Sequence, residues 1–181
     1  MSIAGGPIDF YFEFSSPYGY IAAELVDEFE KRVGRRVTWR PILLGPVFKI
    51  TGQPPLIDIP MKGEYAKRDF SRSARLHKVA YRHPAKFPIG TVAAMRAFYW
   101  VHDRDAREAR TLARALLRAY FAEGRDISAP AAVLEVAGSL SQPGGFSTPM
   151  PRSAKLSSPC CGLRIHIHNT APATAGTTLG R

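Results

Sequence analysis

Ile8-Asp9-Phe10-Tyr11-Phe12-Glu13-Phe14 runs directly into Ser15-Ser16-Pro17-Tyr18-Gly19, and how the first stretch becomes the second decides the fold. The first stretch, rich in aromatics with the acids Asp9 and Glu13 flanking its apolar run, reads as a β-strand. Beyond the turn, Ile21, Leu25, Phe29 and Val33 recur at four-residue spacing and predict a helix with one apolar face. Ser16 is then the natural N-cap and Pro17 the first helical residue. A serine there holds its hydroxyl beside unpaired backbone N–H groups at the positive end of the helix dipole, a place that favours an anion such as a thiolate. Ser-Pro at a helix start is also ordinary capping chemistry that needs no ligand, and the local pattern alone leaves both readings open.

Gly34 is the expected C-cap of this helix, and Val37 to Leu44 follows as a second strand, parallel to the first across a short crossover. Pro41 makes that strand an edge or ends it early. Gly45-Pro46 and Thr51-Gly52-Gln53-Pro54-Pro55 read as loop. Lys62 opens a helix expected to reach about Tyr81. Phe87 to Thr91 reads as a loop with an N-cap, followed by a helix through Trp100 whose aromatic run is mostly core. Arg107 to Ala122 is amphipathic, with Leu112, Leu116, Ala119 and Tyr120 on its buried side. Gly124 to Ser128 breaks it, and Ser128 with Pro130 starts a short helix through Val136. Four helices thus follow the second strand.

Three segments carry a family resemblance: Ser16-Pro17-Tyr18 after the first strand, the spacing of Lys62, Tyr65, Asp69 and Arg72, and Phe87-Pro88-Ile89-Gly90-Thr91 with Ala94-Met95-Arg96 beyond it. Together they resemble the 2-hydroxychromene-2-carboxylate isomerases and kappa-class glutathione transferases, thioredoxin-fold proteins related to DsbA. The resemblance implies an α/β, thioredoxin-like domain with an all-helical insertion. It implies glutathione as cofactor, with Ser16 catalytic through a hydrogen bond to the glutathione sulfur. Ser16, Pro17, Tyr18, Gln53, Lys62 and Tyr65 are the implied glutathione-binding residues, with Gln53 where the family carries Asn. Asp69 and Arg72, three residues apart, also suit a plain ion pair on one helix face. Redox relatives carry Cys-x-x-Cys at the first turn. Ser16 and Gly19 stand there instead, which excludes dithiol exchange at this turn.

The activity implied is glutathione-dependent cis-trans isomerisation of 2-hydroxychromene-2-carboxylate in aromatic-compound degradation. The thiolate adds to a conjugated carbon, the resulting single bond rotates, and expulsion restores the alkene. Two alternatives stand beside it: a kappa-type glutathione S-transferase, or an inactive remnant that at most binds glutathione. The partner is a small aromatic carboxylate substrate, and the resemblance leaves a homodimer open.

At 181 residues the chain suits one domain, with 45% hydrophobic and 22% charged residues. A net charge of +10 invites nucleic acid as a partner. The arginines are interleaved with Asp and Glu, however, and no basic arm or nucleic-acid motif is present, so a solvated Arg-rich surface and no nucleic acid are expected. No apolar run suits a membrane span or a secretory signal, which makes the cytoplasm the expected location and excludes a membrane partner.

From about Ser139 the chain becomes rich in Ser, Thr, Pro and Gly, with no Asp or Glu after Glu135. Residues 1–138 are therefore expected to hold the thioredoxin-like part with its helical insert, and 139–181 a low-complexity, disordered tail. The C-terminal ββα half that the resemblance implies has no counterpart there, and a reading-frame change or assembly error near residue 140 is the expected reason for its replacement. Cys160, Cys161, His166 and His168 match no zinc spacing, so no metal is assigned.

Overall fold

The structure, a computed structural model, describes residues 5–140. The expected disordered tail, its cysteines and histidines, and the frame change near residue 140 lie outside the described residues, apart from the first two tail positions. Strand β1 (Ile8–Phe12) and strand β2 (Val37–Pro41) form a parallel pair in the register Ile8 to Val37 through Phe12 to Pro41. Helix α1 (Pro17–Val33) crosses between them. Both strands stop sooner than the composition suggested. β1 yields after Phe12 to the turn that Glu13 organises, and β2 ends at Pro41, whose missing N–H faces away from β1, with Ile42 N–H making a last bond to Phe12 O at 2.8 Å.

α1 begins and ends as its sequence dictates. Ser16 is in extended backbone and its hydroxyl accepts from Gly19 N–H, Pro17 opens the helix, and Gly34 closes it at φ 66°, where a side chain would be strained. Its apolar face departs from the four-residue stripe: Tyr20, Ile21, Ala23 and Val26 are buried, whereas Phe29 and Val33 are exposed. A helix turns once per 3.6 residues, so a stripe repeating every four drifts by about 40° per step and has left the covered side by the third.

Six α-helices occur among the described residues, five of them after β2 rather than four. The additional one is α2 (Leu44–Thr51), read as loop because of Gly45-Pro46. Both breakers fall in its first turn, where the N–H that proline lacks has no helical partner to lose. A single 3-10 turn (Leu56–Asp58) leads to α3 (Lys62–Leu76), which stops five residues before Tyr81. There the backbone swings out through Lys78 at φ 56°, Val79 N–H returns to Ala74 O at 2.9 Å, and Ala80 O accepts from the hydroxyl of buried Tyr20 at 2.7 Å. A local left-handed cap ends this helix, with Lys78 N–H also returning to Arg75 O at 3.1 Å and Lys78 standing where glycine is usual; the Tyr20 bond then holds the chain beyond it. Helices α4 (Val92–His102), α5 (Ala106–Phe121) and α6 (Pro130–Leu140) complete the insertion. α6 continues past Val136 through Ser139 and Leu140, so those two residues belong to the helix and not to the tail.

The core joins sheet and insertion without a break. Phe12, Phe14 and Trp39 from the strand side meet Ala94, Phe98 and Val101 of α4, and Leu112, Leu116 and Leu117 of α5. Phe12 packs edge-on to both Phe14 and Trp39, with ring centroids 5.2 and 5.3 Å apart. Arginines of α5 clamp α1: Arg118 forks onto Glu24 at 2.8 and 2.6 Å, Arg114 reaches Asp27 at 3.0 Å, and Arg110 reaches Glu30 at 2.8 Å. Part of the basic excess is therefore committed to an interhelical ladder. Burial alone would raise Asp27 and Glu30, but the guanidinium groups overcome it and hold both carboxyls below their ordinary values. Their contribution to stability is present above the unfolded carboxylate pKa and is lost as pH falls through the lower folded value.

One glycine is required by close approach. A Cβ on Gly63, in the first turn of α3, would sit 2.2 Å from the backbone oxygen of Ile57. Gly63→Ala is expected to force the 3-10 turn away from α3 and cost about 1–3 kcal/mol, read as a lower denaturant midpoint at unchanged m.

Candidate functional site

The turn between β1 and α1 opens into a cavity of about 410 Å³. Its floor is Glu13, Ser15, Ser16, Pro17 and Tyr18; one wall comes from Leu43 to Phe48 and the 3-10 turn, the other from Phe70 and residues 87–92. Apolar side chains dominate the walls, among them Leu43, Leu44, Phe48, Leu56, Ile57 and Ile89. Such a pocket, with few polar groups converging on one end, is the usual form of a small-molecule site.

Ser16 is half-buried at that polar end. Its Oγ accepts from Gly19 N–H at 3.1 Å, so its own proton remains available to donate into the cavity. The α1 N-terminus behind it adds unpaired N–H groups and positive potential. Gly19 leaves the hydroxyl its space: a Cβ there would stand 3.2 Å from Ser16 Cβ and 3.3 Å from its Oγ.

Tyr18 is 42% exposed, and its hydroxyl donates to Asp69 Oδ2 at 2.6 Å. Desolvation, with the hydrogen bond to Asp69, pushes its phenol up to about 12, so Tyr18 stays protonated and tethered. Asp69 in turn receives Arg72 Nε at 3.0 Å. The Asp69–Arg72 ion pair anticipated on α3 is thus present, and it also anchors α3 to the start of α1. Ser16, Pro17 and Tyr18 therefore meet at the cavity, whereas Gln53, Lys62 and Tyr65 are exposed and do not line it. Lys62 and Tyr65 sit at the start of α3, and Gln53 follows the left-handed Gly52 that closes α2.

Glu13 is the site residue whose role the sequence did not disclose. Although acidic, it is only 8% exposed. Its carboxylate accepts Ser15 N–H at 2.8 Å and, through the other oxygen, the hydroxyl of Thr91. Ser15 Oγ accepts from Ile89 N–H at 3.1 Å. Glu13 thus ties the Ser15-Ser16 turn to the loop before α4. Thr91 stands at the N-cap of α4 as anticipated, but it makes no capping bond, because its hydroxyl is given to Glu13. The only sequence signal was an acid inside Phe12-Glu13-Phe14; one partner, Ser15, is local, but Thr91 lies 78 residues away.

The model of the DSBA-like thioredoxin domain matches residues 7–141, which takes in both strands, the serine turn and the whole helical insertion. The chain belongs to this family. Within the DsbA-like family, it is similar to glutathione S-transferase kappa 1 of Caenorhabditis elegans, 30% identical over 54% of this chain and 46% of the relative. It is also similar to the 2-hydroxychromene-2-carboxylate isomerase of Pseudomonas putida, 30% identical over 44% of this chain and 40% of the relative. Among solved structures, a 2-hydroxychromene-2-carboxylate isomerase superposes with TM-score 0.59 at 27% identity, covering 71% of this chain and 64% of that one. A probable DsbA oxidoreductase from Streptomyces coelicolor shares the fold, with TM-score 0.57 at 16% identity. The chain spans 46% to 60% of the length of the kappa-type relatives it matches. This DsbA-like domain carries Ser16 and Gly19, and no thiol, at its first turn. Among the described residues, no helix is long and apolar enough to cross a membrane and no cluster could hold a metal ion.

Burial raises the Glu13 carboxyl, against the lowering influence of its bonds from Thr91 and Ser15. The folded state therefore holds the proton to higher pH than the unfolded chain does. This group's stabilisation is full below the ordinary carboxylate value and is lost as pH rises through the raised one, opposite in sign to Asp27 and Glu30. Glu13→Gln can keep both partners, since its carbonyl accepts Ser15 N–H and its NH2 donates to the Thr91 hydroxyl. Stability of Glu13→Gln measured across mildly acidic pH is expected to lack that decline while keeping the loss at low pH.

Proposed function

We propose that this DsbA-like domain serves a glutathione-dependent isomerase of the 2-hydroxychromene-2-carboxylate type. The observation that carries the proposal is the Ser16 hydroxyl, capping a 17-residue helix, with its proton free at the polar end of an apolar cavity. Glutathione, when bound, supplies the nucleophilic thiol and is regenerated unchanged in isomerisation. The residues present fit that group. Ser16 O–H donates at the sulfur position, and the start of α1 favours negative charge there, so the thiol loses its proton more readily. Glu13 acts as a positioning residue, holding the Ser15-Ser16 turn against Thr91 and Ile89. The apolar walls exclude water from the reacting carbon, and Lys62, exposed at the start of α3, offers charge to a glutathione carboxylate.

A second reading, glutathione transfer as in the kappa enzymes, is favoured by the lining itself: none of the side chains walling the cavity is cationic, which suits a neutral electrophile. Supplying the purified chain with glutathione and either 2-hydroxychromene-2-carboxylate or a neutral aromatic electrophile separates the two. Conversion of the chromene carboxylate with no loss of free thiol supports isomerisation. Stoichiometric loss of thiol with the electrophile, and none of the isomer formed, overturns it in favour of transfer.

A further inference from the structure

Toward the Val37 end of β2, away from the Phe12–Pro41 end that leads into the serine turn, lies a second and larger cavity, of about 590 Å³, between the C-terminal end of α1, β2 and the start of α5. We propose that it binds a small polyanion carrying phosphate groups. Its lining includes Lys31, Arg35, Arg36, Arg107 and Arg110, with Glu30 as the acid among them. Glu30 is already committed to Arg110 at 2.8 Å and to Val37 N–H at 2.6 Å. Among the described residues, neither Lys31, Arg35, Arg36 nor Arg107 stands within ion-pair distance of a carboxylate. Arg35 bonds Gly6 O at 3.0 and 2.7 Å, which occupies donors but leaves the charge uncompensated.

Helix-dipole complementarity explains basic residues in the last turn of α1. It does not explain why Arg36, which leads into β2, and Arg107, at the opposite end of α5, face the same space. Four like charges converging on one concavity repel one another, and a multiply charged oxyanion relieves this while matching the forked donors of three arginines. The volume suits a nucleotide-sized ligand. Trp39 also lines the cavity, is 4% exposed, and has an indole N–H with no acceptor among the described residues. Its ring lies under Arg110, 5.3 Å from the guanidinium carbon, which makes it a local optical reporter.

The test is titration of the full chain, in a Trp100→Phe background so that Trp39 alone emits, with inorganic triphosphate and separately with ATP. Saturable change of Trp39 emission is expected. Equal affinity for the two probes assigns the site to phosphate groups alone, and tighter ATP assigns it to a nucleotide. Arg36→Glu with Arg107→Glu should weaken triphosphate at least about tenfold, whereas Arg75→Glu with Arg96→Glu, which changes net charge equally at exposed positions elsewhere, should shift it less than about twofold. Arg36→Gln with Arg107→Gln repeats the test should the double Glu variant fold poorly. No saturable change, affinity unaltered in the Gln or Glu pair, or equal loss in the control pair would overturn the assignment and leave only the general attraction of a +10 chain. Neither outcome depends on glutathione, so the serine site stands or falls separately.

Discussion

Ser16→Gly is expected to fold normally and to lose about 10²- to 10³-fold in glutathione-dependent turnover. Glycine is an acceptable N-cap, costing only a few tenths of a kcal/mol relative to serine, so removal of the hydroxyl is separated from removal of the cap. What disappears is the donor aimed at developing negative charge on sulfur, and loss of one such preorganised donor in a desolvated site typically costs this much. Ser16→Ala mixes the two effects and should lose a further ~0.5–2 kcal/mol of stability. Thermal unfolding and initial rates on the same preparations check the separation; unchanged turnover in Ser16→Gly would remove Ser16 from the chemistry.

Phe14→Ala is expected to cost about 3–5 kcal/mol, a large share of the stability of a domain this size. Phe14 is fully buried two residues before Ser16, its ring edge-on to Phe12. It lies where the sheet, the serine turn and the insertion meet, so the cavity left behind should loosen the turn as well as the core. Denaturant unfolding would show a lower midpoint, and activity should fall even where the variant remains folded. Phe14→Leu should retain much of both, since most of the volume is kept. A midpoint within experimental error of wild type in Phe14→Ala would contradict the core described.

The parts legible from sequence are those whose physics is local. Ser16-Pro17 and Gly34 fixed both ends of α1 because a cap, a prolyl φ and a left-handed glycine act within one turn of chain. β2 does end at the residue where the proline suggested an early end, and the buried face of α5 followed from its period, with Leu112, Leu116, Ala119 and Tyr120 all buried. Other features carry no local sequence signal or depend on distant partners. α3 ends at Leu76 in a left-handed cap built on Lys78 rather than glycine, so no breaker marks the spot. α2 was hidden because Gly45-Pro46 is equally at home in a loop and in a first helical turn. The three-residue motif at the serine turn marked the candidate site, but the walls that make it a cavity come from residues 43–46, 48, 55–57, 70 and 87–92. Glu13 illustrates the limit most clearly, since an acid beside a strand announces solvent until Thr91 is brought to it by the fold.

The account rests on Ser16 and the start of α1 making a bound thiol more acidic. The most direct measurement follows the thiolate absorbance of glutathione bound to the full chain as pH is raised, in wild type and in Ser16→Gly, against free glutathione. The account predicts that the thiol bound to wild type ionises at distinctly lower pH than the free thiol, and that Ser16→Gly moves it back toward the free value while still binding. A bound thiol that ionises as it does in free solution, or one equally acidic without the Ser16 hydroxyl, would contradict the central claim.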